Sequence, residues 1–318
     1  MHGHRRLTWD ELPAHVQSWV EGVLGAPVVR VVHARGGYSP GTADALFCAD
    51  GRAGFLKAGH PSINPDSPAL LRSEGQVLAE LPSGLPIAGL VDSLDEGPDG
   101  WVVLLLEFVE GRPAPLPWTA ETAAAALSNL TELAEALTPA PPGVTAPAAT
   151  ALAPMVDGWL SLVGRPDLDP WLAGRLDLLR TVSQDVLAHV GGETLVHLDL
   201  RADNLMLRPD GRLVVVDWAW AVRGAAWVDP ALLTIEFISS GDDTVDPDAL
   251  VTRIATAHGI STSLVVDLLV GVLGFFENVG RHADPPGLPT LRQFQRFQAE
   301  ALRNWLRNSE HARHLRTG

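Results

Sequence analysis

Residues 195–207 read LVHLDLRADNLML, and residues 213–218 read LVVVDW. Two apolar runs with strand character enclose a polar turn, and a second acidic residue ends the run that follows. Polar residues at such turns lie at loop edges, where binding and catalytic side chains concentrate. We therefore expect His197, Asp199, Asn204 and Asp217 to converge at one loop edge.

The residue types at these positions match the needs of phosphoryl transfer. That reaction requires an oriented hydroxyl nucleophile and cations that neutralise the charge on the γ-phosphate oxygens. Asp199 can accept the proton of an attacking hydroxyl as a general base. Asn204 and Asp217 offer the hard oxygen ligands that Mg²⁺ prefers, with phosphate oxygens and waters completing the octahedron. The stretch thus predicts a base beside two magnesium ligands.

The spacing His-x-Asp-x-x-x-x-Asn, with an aspartate thirteen residues after the asparagine, resembles the catalytic segment of kinases. Protein kinases carry Asp-Phe-Gly at the second site. Residues 217–219 read Asp-Trp-Ala instead, which is similar to the aminoglycoside phosphotransferase and choline kinase branch. Residues 227–231, WVDPA, also resemble that branch's Gly-Asp-Pro-Ala segment, although its usual second aspartate falls at Leu233. The resemblance implies an α+β, bilobal protein-kinase-like fold, ATP or GTP as the phosphate donor, and Mg²⁺.

The resemblance also implies a small N-terminal lobe with an antiparallel sheet and a larger, mostly helical C-terminal lobe. A chain of 318 residues is long enough for two such domains. We place the boundary near Gly111, which gives a nucleotide-binding lobe at residues 1–110 and a catalytic and substrate-binding lobe at residues 111–318. Thr8 and Glu11 form a capping-box pattern, so the first lobe should open with a helix.

A glycine-containing loop follows the β-branched run at residues 28–32. Residues 35–41 read RGGYSPG, and glycines let backbone N–H groups approach an anion closely. Gly36, Gly37 and Ser39 are therefore candidate phosphate contacts. Without further context, a Gly-Gly pair between strands is more often an ordinary turn.

Lys57, the only lysine of the chain, ends a short apolar strand. A compact point charge at such a position suits a phosphate. Glu74 lies on the apolar stripe of a predicted helix over residues 70–81, so it should face the interior. A buried carboxylate needs a partner, and pairing with Lys57 satisfies both residues. The alternative is a surface lysine and a solvated glutamate at a helix edge.

Residues 101–111, WVVLLLEFVEG, form a predicted buried strand that ends in a turn. In the family that the chain resembles, the backbone after this strand binds the nucleotide base. The resemblance therefore makes Glu107, Phe108 and Val109 candidate nucleotide contacts.

Two further residues of the catalytic segment have open roles. For His197, a structural role in which the side chain holds the loop by hydrogen bonds is favoured over a role as a catalytic acid. Arg201 can neutralise the γ-phosphate, or it can form a surface salt bridge, for example to Asp203.

The formal charge of −15 argues against a nucleic-acid partner, which would need a basic face. An acidic surface would attract a cationic substrate, but net acidity also serves solubility alone. Residues 241–246, Glu236 and Glu277 are candidate contacts for ammonium groups.

Three features suggest the cellular setting. Cys48 is the only cysteine, so an internal disulfide is excluded and a reducing compartment is compatible. The first ten residues lack a signal-like apolar core, and the longest apolar stretch, residues 264–276, is interrupted by Asp267 and is expected to be too short for a bilayer. We expect a cytoplasmic protein without a membrane partner.

Three hypotheses cover these observations. The first is an ATP- or GTP-dependent kinase that phosphorylates a hydroxyl of a small, cationic molecule: an aminoglycoside or another antibiotic, or a metabolite such as choline, homoserine or a sugar. The second is a nucleotide-binding pseudokinase, disfavoured by the intact set of candidate residues. The third is a metal-dependent hydrolase with His197, Asp199 and Asp217 around a transition metal, which leaves Lys57 and Glu74 unexplained.

Overall fold

A computed structural model describes residues 7–34, 41–285 and 290–316. The chain divides into two compact units. The first comprises residues 1–114, 203–221 and 285–288, and the second comprises residues 115–202, 222–284 and 289–318. The sequence-based division between residues 110 and 111 stays a prediction.

The described part of the chain contains ten strands. They are β1 (Val28–His33), β2 (Thr42–Cys48), β3 (Ala53–Gly59), β4 (Leu90–Asp95), β5 (Val102–Glu107), β6 (Arg112–Pro113), β7 (Thr194–Val196), β8 (Leu205–Leu207), β9 (Leu213–Val215) and β10 (Val222–Gly224).

The same residues contain ten α-helices. They are α1 (Ala14–Leu24), α2 (Ser67–Glu80), α3 (Ala120–Ala136), α4 (Ala148–Val156), α5 (Pro170–Ala173), α6 (Leu176–Asp185), α7 (Val228–Ser240), α8 (Pro247–His258), α9 (Thr262–Val279) and α10 (Leu291–Asn308).

The first unit is built on an antiparallel sheet with the strand order β1-β2-β3-β5-β4. Alternation along β3 sends Leu56 into an apolar core with Val16 and Val20 of α1, and Lys57, next to Leu56, points to the opposite face. Helix α2 packs on β3 and β5. This unit also contains a three-stranded sheet, β6-β8-β9. Its strands β8 and β9 belong to the two segments quoted at the start, residues 195–207 and 213–218.

The second unit is mostly helical, with a short β10-β7 pair. Helix α9 is its central element and packs against α4, α6, α7, α8 and α10. An antiparallel sheet in one unit and helices in the other confirm the α+β class that the sequence predicts.

Helix α9 is long and apolar enough, by length and composition, to cross a membrane. The expectation that this stretch is too short is therefore wrong, because the helix extends from Thr262 to Val279. Buried core helices meet the same criterion, and 56% of α9 is buried inside the structure. Its packing against five other helices favours the role of a core helix.

Candidate functional site

The first unit contains a buried charge cluster centred on Lys57. Its Nζ atom lies 2.8 Å from both carboxylate oxygens of Glu74 and 2.7 Å from Oδ1 of Asp217. Glu74 is 1% exposed, and the Lys57 side chain is 15% exposed. Residues that are 17 and 160 positions apart in sequence are thus joined at one ammonium group.

Electrostatics keep the Lys57 ammonium in its charged form. Burial lowers the pKa of Lys57, but the carboxylates of Glu74 and Asp217 outweigh it, so the net pKa is raised. Burial raises the pKa of Glu74 against the opposing effect of the Lys57 ammonium. Lys57 therefore stays protonated at neutral pH, and removing it would leave a buried carboxylate without its counter-ion.

Local sequence explains how the cluster is positioned. Leu71, Glu74 and Leu78 share one buried face of α2, as the helical period requires. Asp217 follows β9 with a φ of 71°, a left-handed backbone that non-glycine residues seldom adopt. The next N–H, that of Trp218, donates to Glu74 Oε1 at 3.3 Å. This bond supports the strained turn and ties it to α2.

Asn204 and Asp217 lie together at the ends of β8 and β9. The Asn204 carbonyl accepts the Val216 N–H at 3.0 Å, and Leu205 pairs with Val215. Asn204 is 4% exposed. The structure thus brings the backbone of Asn204 and the residue before Asp217 together at one end of the β8–β9 pair, and an amide and a carboxylate oxygen are a donor set that suits Mg²⁺ held jointly with phosphate oxygens.

The described residues contain no group of three or more His, Cys, Asp or Glu side chains that could hold a metal ion. A transition-metal hydrolase would need such a set.

Residues 195–202, which include His197, Asp199 and Arg201, lie in the second unit. Asp199 Oδ1 accepts a hydrogen bond from Arg201 Nη1 at 3.1 Å, so Arg201 pairs with the candidate base. His197 is 1% exposed, and its Nδ1 accepts the Asp199 N–H at 3.2 Å. A ring nitrogen that accepts a backbone N–H carries no proton, which places the proton of a neutral imidazole on Nε2. This geometry favours the structural role for His197.

Asp229, in the first turn of α7, holds the loop that carries His197 and Asp199. Its two carboxylate oxygens accept the N–H groups of His197, at 2.6 Å, and of Leu198, at 2.9 Å. Leu198 has a φ of 65°, so Asp229 secures a strained residue immediately before the candidate base. Our sequence interpretation noted Asp229 only within the WVDPA segment and missed this contact, because 32 residues separate it from His197.

Burial raises the pKa of Asp229 to about 6, against the opposing effect of the two N–H bonds. Because this value exceeds the ordinary 3.8, the folded chain holds the proton more tightly than the unfolded chain. Its contribution to the free energy of unfolding should therefore fall as the pH rises from about 4 to about 6, by no more than about 3 kcal/mol.

Asp229→Asn should remove this part of the pH dependence, as denaturant unfolding at a series of pH values would measure. Asp210→Asn, in the exposed turn that contains Arg212, is the control and should retain it. An unchanged pH profile in Asp229→Asn would show that another group is responsible.

The predicted ammonium contacts separate into two groups. Glu277 is bound by Arg281 and Arg303, Asp246 caps α8, and Asp242 accepts two bonds from Thr244. Glu236 is different, because this 4% exposed side chain lines a pocket together with Asp199 and Arg201.

The predicted nucleotide-base segment follows β5. The Glu107 N–H donates to the Gly89 carbonyl at 2.8 Å, and the Phe108 ring stacks edge-on against Phe47 with centroids 5.0 Å apart. Within the described ranges, the Val109 N–H makes no hydrogen bond. Gly36, Gly37 and Ser39 lie outside the described residues.

A family model described as the phosphotransferase enzyme family matches residues 47–263. This match spans more than half of the chain and includes the Lys57 cluster and residues 195–218. The chain belongs to the phosphotransferase enzyme family. The predicted resemblance and the predicted enzyme class, a phosphotransferase with an alcohol group as acceptor, are confirmed.

Solved structures show which folds this phosphotransferase resembles. An aminoglycoside phosphotransferase from Alicyclobacillus acidocaldarius is 19% identical, with a TM-score of 0.57 over 91% of this chain and 93% of that one. A thermostable mutant of APH(4)-Ia, in ternary complex with ADP and hygromycin B, is 12% identical, with a TM-score of 0.59 over 95% and 98%. Spectinomycin phosphotransferase APH(9)-Ia, in complex with ADP and spectinomycin, is 10% identical, with a TM-score of 0.56 over 95% and 97%.

At these identities the likeness establishes the fold of the phosphotransferase. No curated protein matches the chain.

Proposed function

We propose that this phosphotransferase transfers the γ-phosphoryl group of ATP or GTP to a hydroxyl of a small, cationic molecule. An aminoglycoside or another antibiotic is the first candidate class, because APH(4)-Ia and APH(9)-Ia bind such compounds together with ADP. The net charge of −15 also favours capture of a cation. A metabolite such as choline, homoserine or a sugar is the alternative.

The observation that carries this proposal is the Lys57 cluster. The only lysine of the chain is held by a buried glutamate and by the aspartate that ends the catalytic stretch. In phosphoryl transfer, such an ammonium contacts phosphate oxygens, and a glutamate on a helix keeps it oriented. A pseudokinase would have no need to maintain this costly buried arrangement.

Asp199 is the proposed general base. The acceptor oxygen forms a bond to the γ-phosphorus while its proton passes to the Asp199 carboxylate. The bond between the γ-phosphorus and the bridging oxygen breaks, and its electron pair leaves with the nucleoside diphosphate. Arg201, which holds Asp199 by its guanidinium, orients the base, and Asp229 fixes the backbone that carries it.

Asn204 and Asp217 are the residues that would hold Mg²⁺, which neutralises phosphate charge when it is bound. Asp217 also keeps the Lys57 ammonium beside this pair of ligands. The Val109 N–H, together with the Glu107 carbonyl, is the proposed contact for the purine, with Phe108 alongside. We propose Gly36, Gly37 and Ser39 as backbone contacts to phosphate.

The test is production of ADP and GDP in the presence of magnesium and a panel of hydroxyl acceptors, with the mass of each product recorded. A gain of one phosphoryl group on an acceptor, lost when magnesium is chelated, is expected. Nucleotide binding without transfer to any acceptor would favour the pseudokinase. Transfer that persists after chelation would contradict the roles of Asn204 and Asp217.

A further inference from the structure

A pocket within the second unit borders the candidate base. Its wall includes Asp199, and most of the wall is formed by apolar side chains, several of them from α4, α7, α9 and α10. Two amide side chains of α10, Gln295 and Gln298, also line the pocket. Ligand pockets are generally apolar, with a few polar groups that fix the orientation of the ligand. The two amides are the candidates for that role here.

Both amides are almost completely buried, and the protein binds one end of each. Gln295 is 8% exposed, and its Oε1 accepts a hydrogen bond from Arg292 Nη1 at 2.8 Å. Gln298 is 4% exposed, and its Nε2 donates to Glu236 Oε1 at 3.4 Å. A guanidinium only donates and an ionised carboxylate only accepts. These contacts therefore fix which end of each amide is the oxygen and which is the nitrogen.

The other end of each amide has no partner in the protein. Within residues 7–34, 41–285 and 290–316, no group hydrogen-bonds to Gln295 Nε2 or to Gln298 Oε1. Neither atom belongs to the unpaired side-chain atoms that are sealed from solvent. Because both side chains line the pocket, their unpaired ends are open to it. The pocket therefore presents an amide donor from one residue and an amide acceptor from the other.

This pair selects the polar group that a ligand can place between the two side chains, which are neighbours because they lie three residues apart on a helix. A ligand that displaces water from such groups loses affinity unless it reproduces the hydrogen bonds of the water. A hydroxyl does so, because its oxygen accepts from Gln295 and its proton is donated to Gln298. An ammonium only donates and a carboxylate only accepts, so either would leave one amide unsatisfied.

We infer that Gln295 and Gln298 bind a neutral hydroxyl of the acceptor, separate from the hydroxyl that is phosphorylated beside Asp199. The acceptor therefore carries at least two hydroxyls, as polyhydroxylated rings do, and the C–H face of such a ring contacts the apolar wall. Choline and homoserine, with one hydroxyl each, do not meet this requirement. The inference rests on the proposed function and narrows its acceptor class.

The first experiment compares kanamycin A and myo-inositol, which carry several hydroxyls, with choline and homoserine as acceptors, in the presence of magnesium and ATP or GTP. We expect kcat/KM for the better polyhydroxylated acceptor to exceed that for choline and for homoserine by at least about tenfold. Faster transfer to choline or homoserine would overturn the inference and leave the proposed function standing. No transfer to any of the four would overturn both.

Gln295→Glu tests the donor, with Gln293→Glu as its matched control. Glutamate keeps an oxygen for Arg292, whose guanidinium holds it ionised, and replaces the Nε2 donor by a second oxygen. Gln293 is an exposed residue of the same helix and does not line the pocket. A hydroxyl has one proton and cannot satisfy two acceptors, so KM for the preferred polyhydroxylated acceptor should rise about tenfold or more in Gln295→Glu, and the control should match the wild type.

An equal KM in the two variants would overturn the inference. A lower KM in Gln295→Glu would also overturn it, because an added carboxylate favours an ammonium at this position. The nucleotide Kd and the urea midpoint should match the wild type, since the Arg292 contact is retained, and kcat should change less than KM. A loss of stability that parallels the loss of activity would show that Gln295 is structural and would overturn its assignment.

Discussion

Asp199→Asn should lower kcat for phosphoryl transfer by about 10²–10⁴-fold, the usual effect of removing a positioned general base. The amide cannot take the proton that the acceptor hydroxyl must release as its oxygen bonds to phosphorus. Asparagine keeps a carbonyl oxygen for the Arg201 contact, which is 3.1 Å long in the wild type. The fold of the loop and the affinity for nucleotide should therefore change little.

The two effects are separated by measuring kcat with a productive acceptor and the nucleotide Kd by calorimetry on the same preparation. Asp210→Asn, in an exposed turn of the first unit, makes the same chemical change away from the site and should match the wild type in both. A kcat for Asp199→Asn within about threefold of the wild type would remove Asp199 from the role of base.

Lys57→Met should abolish productive nucleotide use and also destabilise the fold. Glu74, 1% exposed, would lose the ammonium that lies 2.8 Å from both of its oxygens. Breaking a buried pair by removing one partner costs about 3–5 kcal/mol, because the remaining charge is uncompensated. Urea unfolding at neutral pH measures this loss.

The variant should regain stability as the pH falls. Burial already raises the pKa of Glu74, and without Lys57 that pKa rises further. A carboxyl group with a raised folded-state pKa destabilises the fold at neutral pH, and the cost disappears as protonation removes the charge. The difference between the wild type and Lys57→Met should therefore be smaller at about pH 5 than at pH 7.

A double variant separates the structural role of Lys57 from its functional role. Adding Glu74→Gln to Lys57→Met removes the uncompensated charge, so most of the lost stability should return. Nucleotide affinity should not return, because the phosphate contact is still missing. Recovery of both properties would contradict a phosphate-binding role for Lys57.

Several features could be predicted because they depend on local pattern. A short apolar strand was predicted to end at Lys57, and helical spacing placed Glu74 on a buried face. The structure pairs them, as that reasoning requires. The spacing of His197, Asp199, Asn204 and Asp217 carried the family resemblance, and the resemblance in turn implied the fold class.

Other features lay beyond any local pattern. Asp229 binds the N–H groups of His197 and Leu198 from another element, and nothing in the spacing marks it as their partner. Several acidic residues that we proposed as ammonium contacts are engaged elsewhere: Glu277 with arginines, and Asp246 at the start of α8. Their charge was visible in the sequence, but their partners were not.

Spacing along the chain was sufficient to predict which residues face the same way within a few positions, since strand and helix periods and short turns set this. The pocket beside Asp199 is different in kind. Its wall joins the catalytic loop to side chains of α4, α7, α9 and α10, and these meet only when the helices pack. What can bind in this pocket is therefore set by the packing of distant elements, because the volume and the lining of a cavity are properties of side chains brought together by the fold.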